Sequence, residues 1–145
     1  MREMGWTGIA ELDGAEAKSA DWVFALEERL GWRDRSKVYL ALLGTLHALR
    51  DSLPLDEAVY LGAELPALLR GLYYEGWHPR DQPMPLEDRD IFLNRVHEAV
   101  HRDPGIDAEH MVRTVFAVLA ERISAPEFED VRAASPRPLH GLWPR

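Results

Sequence analysis

The sequence predicts an all-helical (all-α) protein built from two tandem copies of a four-helix unit, packed into one compact helical bundle. Apolar residues recur at the three- and four-residue spacing of a helix face, and the alternating runs that would predict strands are missing. The chain also resembles itself without a gap at an offset of 70 residues, in the pairs Leu49/Leu119, Leu53/Ile123, Pro66/Pro136, Leu69/Leu139 and Gly71/Gly141. Since the matched positions are apolar, proline or glycine, the repeated object is a packing unit.

Four segments are expected along the chain. Residues 1–18 carry scattered glycine and acidic residues with little periodicity, which predicts a loose N-terminal arm. The first helical repeat occupies residues 19–74, and the second occupies residues 87–145. Between them, residues 75–86 contain one glycine and three prolines, which predicts a hinge-like linker.

In the first copy, cap residues and helix breakers define the first two helices. Ser19 is the predicted N-cap of the first helix, and Gly31 ends it. Asp34 is the predicted N-cap of the second helix, which Pro54 stops because proline cannot donate the helical hydrogen bond. The apolar stripe of this second helix is expected to be buried and comprises Val38, Leu42, Thr45, Leu46, Leu49 and Leu53.

The third and fourth helices of the first copy are shorter. The third is expected over residues 55–64, and the fourth begins at Pro66, where the missing N–H costs nothing. Gly71 in the fourth helix matches Gly141 in the second copy. A glycine inside a helix costs about 1 kcal/mol relative to alanine. We therefore expect another helix to approach closely at both glycines, with the second and fourth helices packing the copies together.

The second copy repeats these elements. Its first helix is expected around residues 92–100, and Asp107 is the predicted N-cap of its second helix. Ser124 and Glu127 form a capping box at the start of the third helix. The last element carries two prolines, ends at Trp143 and is expected to be short.

Composition excludes several classes of protein. The net charge of -8 opposes a nucleic-acid partner, because such binders neutralise phosphates with Lys and Arg. The absence of cysteine excludes disulfides and thiolate metal sites, and it is compatible with a reducing cytoplasm. The N-terminus does not have the pattern of a signal peptide, and the longest apolar stretch, residues 38–49, is too short to span a bilayer. Acidic pairs such as Asp56-Glu57 are assigned to helix starts and polar faces.

These observations predict a cytoplasmic protein with no membrane partner and no cofactor. The chain is expected to be a monomer or a homodimer. In the homodimer, the interface would use an apolar face that the short last element of the second copy leaves free.

A central segment resembles a known family. Residues 46–77 read LHALRDSLPLDEAVYLGAELPALLRGLYYEGW, and this segment resembles a bacterial family designated domain of unknown function 2267. The ending Leu139-His140-Gly141-Leu142-Trp143 is also similar to the family's usual ending, so the resemblance covers most of residues 21–143. It implies a duplicated helical fold of small bacterial proteins, sometimes joined to ligand-sensing domains. No reaction or catalytic residue comes with the resemblance.

One motif is similar to a zinc site. His97-Glu98-Ala99-Val100-His101 places two histidines four residues apart, so on a helix both imidazoles would share a face and hold one zinc ion, with Glu98 activating its water. The alternative is two solvated helix histidines. None of the candidates for a third ligand follows at the spacing typical of a zincin; they are Asp103, Glu109 and His110.

A second cluster combines arginine with aromatic residues, which are enriched at binding hot spots. It is asymmetric between the copies, because Arg70 matches His140 and Tyr74 matches Pro144. Such asymmetry is expected of a site carried by one copy only. The alternative is structural: the aromatics pack the two copies together, and Arg70 forms an ion pair with an acid such as Glu64 or Asp51. The candidate partner-binding residues are Arg70, Tyr73, Tyr74, Glu75, Trp77 and His78.

The preferred hypothesis is a non-catalytic helical binding or regulatory module that contacts a protein or a small ligand through the segment from Arg70 to His78. The alternative is a zinc-dependent hydrolase that uses His97 and His101 as metal ligands and Glu98 as the base. The sequence identifies neither the partner nor the ligand.

Overall fold

The chain folds into helices, and the predicted all-helical fold is confirmed. The computed structural model describes residues 5–145, and this range contains no strand. Within the same range, no helix is both long enough and apolar enough to cross a lipid bilayer. The α-helices are α1 (Ala10–Leu30), α2 (Arg35–Ser52), α3 (Leu55–Ala63), α4 (Ala67–Tyr74), α5 (Arg89–Ala99), α6 (Ala108–Arg122) and α7 (Ala125–Ala134), and the 3₁₀ helices are η1 (Pro79–Asp81) and η2 (Arg137–Leu142).

Helix α1 is longer than the sequence predicts. It begins at Ala10, after an extended Ile9 that offers no side-chain cap, so residues 10–18 of the predicted loose arm are helical. The prediction that Ser19 is an N-cap is wrong. Ser19 is buried inside α1, and its hydroxyl accepts a hydrogen bond from the Leu69 N–H at 3.0 Å. The alanines and glutamates of the preceding segment are strong helix formers, which explains the earlier start. Residues 1–4 of the predicted arm lie outside the described residues.

Helix α2 supplies much of the core. The predicted cap is confirmed, because the Asp34 side chain accepts a hydrogen bond from the Lys37 N–H at 3.2 Å. Gly31 ends α1 in the left-handed conformation, with φ at 70°, and α3 starts directly after Pro54. The whole predicted stripe of α2 is buried, comprising Val38, Leu42, Thr45, Leu46, Leu49 and Leu53.

Helix boundaries recur along the chain at the offset of the sequence repeat. Helices α2 and α6 end at Ser52 and Arg122, and α3 and α7 begin at Leu55 and Ala125, so each pair is 70 residues apart. The predicted cap at Asp107 is confirmed by a hydrogen bond from the His110 N–H at 3.2 Å. The short last element is the 3₁₀ helix η2. That the two halves are copies of one unit stays a prediction.

The two halves meet through their first two helices and through the packing of α3 on α7. Helix α2 packs against α5 and α6, and α1 also packs against α6. The prediction that the fourth helices join the halves is wrong, because α4 packs on α1, α2 and α3, while η2 packs on α6. Gly71 has open space around it, and Gly141 faces only the tip of Arg89. The close approach occurs instead at Gly44, where an added Cβ would overlap the Cβ of Ala99 on α5.

The linker at residues 75–86 is attached to the end of α2. The side-chain amide of Gln82 donates hydrogen bonds to the carbonyls of Arg50 and Leu53, the second at 2.6 Å. The last carbonyls of a helix lack the usual intrahelical partner. Gln82 supplies a donor for the Leu53 carbonyl and adds to the bond that the Arg50 carbonyl accepts from the Leu53 N–H at 3.3 Å. The segment predicted as a hinge is thus held at its centre.

Candidate functional site

Arg70 lies on α4 and closes the C-terminal end of α3. Its guanidinium donates hydrogen bonds to the carbonyls of Gly62 at 3.0 Å and Leu65 at 2.8 Å. These carbonyls belong to the helix end, where acceptors lack intrahelical partners. Within residues 5–145, Arg70 forms no ion pair with Glu64 or Asp51, the acids that the sequence offered. The side chain stays exposed, so it also faces solvent.

Tyr73 belongs to the core. It has no exposed surface, and its hydroxyl donates a hydrogen bond to the Ala58 carbonyl at 2.7 Å. Burial, as the largest cause, raises the pKa of the Tyr73 phenol far above its ordinary value. Because a buried side chain cannot touch a partner at the surface, we remove Tyr73 from the predicted contact residues and assign it to packing.

Tyr74 and Trp77 form a small aromatic stack, with ring centroids 5.4 Å apart. Tyr74 fits over Gly62 of α3, where an added Cβ would overlap its hydroxyl. The Trp77 indole N–H donates a hydrogen bond to the Gln82 side-chain oxygen at 3.3 Å. Both rings are half-buried. These aromatics therefore join α3, α4 and the linker within the first half, rather than joining the two halves as the structural alternative had it.

The rest of the predicted segment lies at the surface. The side chains of Glu75 and His78 are exposed, while the Glu75 carbonyl accepts a hydrogen bond from the buried Arg50 at 3.0 Å. The structure brings Arg70 and Tyr74 together, because both contact Gly62. The side chains of Glu75 and His78 form no hydrogen bond or ion pair within residues 5–145.

A groove runs between α1 and α4, and Arg70 lines both of its hollows. The larger hollow, of about 580 Å³, lies between α1, the junction of α3 with α4, and the end of α6. The smaller, of about 430 Å³, continues along the N-terminal part of α1. Lys18, Pro66 and Arg70 line both hollows, and Trp22 contributes to the larger one.

Charges of both signs line the groove. Two of its acids are engaged, and a third, Glu11, lines the smaller hollow. Arg122 of α6 pairs with Asp21 of α1. Glu64 accepts a hydrogen bond from the Ser124 N–H, just before α7, at 2.7 Å. Among the residues from 5 to 145, neither Lys18 nor Arg70 has an acidic partner. The groove therefore carries two positive charges that a ligand could neutralise.

Sequence reasoning found Arg70 but missed Lys18 and Arg122, which line the same groove. Lys18 fell within the predicted arm because the first helix was expected to start at Ser19. Lys18 and Trp22 are four residues apart, so they share a face of α1. If the helix had been predicted to start earlier, Lys18 would have been placed on the same helix face as Trp22. Arg122 comes from the distant α6, and no local pattern indicates it.

The zinc-like motif does not lie on one helix face. Helix α5 ends at Ala99, and His101 has left-handed backbone angles with φ at 59°. His97 donates a hydrogen bond through its Nε2 to the Asp103 carbonyl at 2.8 Å, which ties the helix end to the following loop. The expectation that His97 and His101 share one helix face is therefore wrong. Within residues 5–145, no group of three His, Asp or Glu side chains could hold a metal ion.

Comparison with protein families agrees with the predicted resemblance. The family model described as "Uncharacterized conserved protein (DUF2267)" matches residues 19–142, which is most of the chain. The chain belongs to the DUF2267 family. In this DUF2267 protein the matched region begins inside α1, so residues 10–18 and with them Lys18 lie ahead of it. A search of curated proteins gives no match.

Proposed function

We propose that this DUF2267 protein is a non-catalytic binding module and that it holds an anionic group of a small ligand in the groove between α1 and α4. The observation that carries the proposal is the position of Arg70, which lines both hollows and has no acidic partner among residues 5–145. Lys18 stands beside it in both hollows.

The size and the charge of the groove support a small anionic ligand. Small-molecule sites typically enclose about 300–1,000 Å³, and the larger hollow has about 580 Å³. The chain as a whole is acidic, with a net charge of -8, so two cations without acidic partners among residues 5–145 run against the overall charge. An arginine held by backbone carbonyls is also preorganised, which lowers the entropy that binding would cost.

The experiment is a ¹⁵N-NMR titration of the protein with inorganic phosphate, succinate and a tetraglutamate peptide, one at a time. We expect saturable shifts of amides in residues 17–22 and 63–70 for at least one probe. Lys18→Glu should weaken that binding at least tenfold, since it reverses a charge in the groove without removing a hydrogen bond among the described residues.

Arg137→Glu is the matched control, because it makes the same change of charge on the exposed surface of η2, outside the groove. It should leave the titration unchanged. Equal loss in both variants would mean that only overall charge matters, and an absence of saturable shifts with all three probes would also refute the proposal.

We also propose that the chain arose by internal duplication and works in the bacterial cytoplasm. The 70-residue spacing of the helix boundaries supports the duplication, and the absence of cysteine suits a reducing compartment. The zinc-dependent hydrolase has less support, because catalytic zinc usually needs three protein ligands. Metal analysis of the purified protein tests it directly, and stoichiometric zinc would restore that alternative.

A further inference from the structure

Two glutamates meet where α3 packs on α7. Glu57 of α3 is 9% exposed, and Glu127 of α7 is 8% exposed. They are 70 residues apart, the same offset that relates the two halves in sequence. Glutamates are seldom buried to this degree without a positive partner. The sequence assigned Glu57 to a helix start and Glu127 to a capping box, and neither assignment explains their burial.

The capping box is only half formed. The Ser124 hydroxyl accepts a hydrogen bond from the Glu127 N–H at 3.3 Å, as predicted. The reciprocal bond is absent, because the Ser124 N–H donates to Glu64, directly after α3, instead. The carboxyl of Glu127 is therefore released from the start of its own helix and lies within hydrogen-bonding reach of Glu57.

No donor among residues 5–145 reaches the buried oxygens of this pair. The Oε2 atoms of Glu57 and Glu127 are both buried, and neither has a hydrogen-bond partner in the described part of the chain. Ionised carboxylates only accept hydrogen bonds, so two of them cannot bond to each other unless one carries a proton. A single proton on the pair supplies the missing donor.

The surrounding groups do not offset a second negative charge. Asp130 of α7 and Glu64, directly after α3, add to the negative field at Glu127. Tyr73 of α4, whose hydroxyl is un-ionised at neutral pH, lies near Glu57. The pKa of Glu127 is raised to about 8, mainly by burial and next by the neighbouring Glu57.

We propose that Glu57 and Glu127 share one proton in the folded protein, and that release of this proton to solvent at alkaline pH loosens the contact between α3 and α7. Two ionised carboxylates at close range in a buried contact repel each other strongly. The contacts of α1 and α2 with α5 and α6 do not involve the pair, so the core of the bundle stays closed.

The sign of the pH effect follows from the two states. In the unfolded chain a glutamate titrates near its ordinary pKa of 4.5, whereas in the folded protein Glu127 keeps its proton to about pH 8. Between these values the folded state binds more protons than the unfolded state. Stability therefore falls as the pH rises from about 4.5 to 8, and it levels off above that range.

The test combines two measurements on the full-length protein. The first follows the side-chain carboxyl carbons of all glutamates by ¹³C NMR between pH 4 and 10, and we expect one resonance with a midpoint near 8. The second measures hydrogen exchange of the α7 amides in the protein and in Glu127→Gln at each pH. The side-chain amide that this substitution introduces donates a hydrogen bond at every pH, so α7 should exchange at least tenfold more slowly in the variant than in the natural protein at pH 9, with little difference at pH 6.

Glu57→Gln should act in the same way and serves as the second variant if Glu127→Gln fails to fold. Glu28→Gln, an exposed glutamate on α1, is the matched control and should leave α7 exchange unchanged. Titration of every glutamate near its ordinary pKa, or equal exchange of α7 in all variants, would overturn the proposal. Stabilisation by Ca²⁺ that disappears in Glu127→Gln would also overturn it, because the pair would then bind a cation.

Discussion

Gly44 and Gly71 both lie inside helices, yet an added methyl group would meet different surroundings at each. On α2, the Cβ of an alanine at position 44 would overlap the Cβ of Ala99 on α5. Both atoms are attached directly to the backbone, so neither can swing away. On α4, apart from its chain neighbours and the backbone of its own helix, nothing described lies within 4 Å of the Cβ that an alanine at position 71 would have. Packing therefore requires a glycine at position 44, whereas at position 71 the glycine only costs chain entropy.

We predict that Gly44→Ala and Gly71→Ala change stability in opposite directions. Gly44→Ala should lower the free energy of unfolding by about 1–3 kcal/mol, since overpacking outweighs the better helix propensity of alanine. Gly71→Ala should raise it by up to about 1 kcal/mol, because propensity acts alone there. Urea unfolding followed by circular dichroism measures both, and the same sign for the two variants would contradict this account.

Sequence patterns predicted which residues are buried better than they predicted what those residues touch. The helical spacing of apolar residues correctly identified the buried stripe of α2. It could not show that Gly44, rather than Gly71, lies at the crossing of two helices, because crossing points depend on how distant helices pack. The burial of Glu57 against Glu127 likewise depends on how distant helices pack, which local patterns do not show.

At the scale of elements, the linker also acts as the C-terminal cap of α2. Gln82 donates to two carbonyls at the helix end, and the Met84 N–H donates to the Asp51 carbonyl at 2.8 Å. The buried Arg50 completes the connection from the helix side, with hydrogen bonds to the carbonyls of Tyr73 at 2.6 Å and of Glu75. The segment between the two halves is therefore anchored by polar contacts, in addition to the packing of Trp77 and Leu86 against the core.

We predict that Gln82→Glu releases the linker. The substitution keeps the shape and the acceptor that Trp77 uses, but it replaces the donating amide with a carboxylate facing carbonyl oxygens. The free energy of unfolding should fall by about 1–3 kcal/mol, the usual cost of leaving such groups unsatisfied. Amides of residues 77–84 should exchange with solvent faster than the rest of the protein. Asp81→Asn, at the exposed neighbouring position, is the control and should change neither measurement.

Helix ends were predictable where a side chain determines them. The caps at Asp34 and Asp107 and the left-handed Gly31 were all expected from the sequence. The start of α1 was not, because Ile9 provides no capping side chain and the hydrogen bonds at this end join Thr7 to Asp13 instead. Ser19 has a residue type that favours caps, but its hydroxyl is used by a backbone N–H of α4.

At the scale of the whole molecule, the two halves share one core. Buried residues from α1 and α2 pack with those of α5 and α6 in a single cluster. Aromatic packing within the second half is also continuous with that cluster, because Phe116 stacks on Trp143 with centroids 3.9 Å apart. Neither half buries its apolar surface without the other.

We predict that the protein unfolds in one cooperative transition and that neither half folds alone. Circular dichroism and tryptophan fluorescence should give the same midpoint in urea. Separate chains of residues 1–86 and 87–145 should each have low helicity, and mixing them should restore part of it. Two resolved transitions, or a native-like spectrum from either separate half, would show independent domains instead.

The candidate site was predictable only in part, because its walls come from helices that are distant in the sequence. Arg70 stands out in the sequence because it differs from its counterpart in the second copy, and the structure places it in a groove. The other walls come from α1 and α6, which no local pattern connects to α4. The aromatic neighbours that made the segment conspicuous turn out to hold α3 and α4 together.

The early start of α1 has a practical consequence for ligand discovery. Residues 10–18 precede the region that defines the family, but they form one wall of the smaller hollow. A protein trimmed to residues 19–145, without the segment ahead of the family match, would keep the residues of the shared core and lose that wall together with Lys18. Screens for binding compounds should therefore use the full-length chain, since negative results from the trimmed protein would be uninformative about this groove.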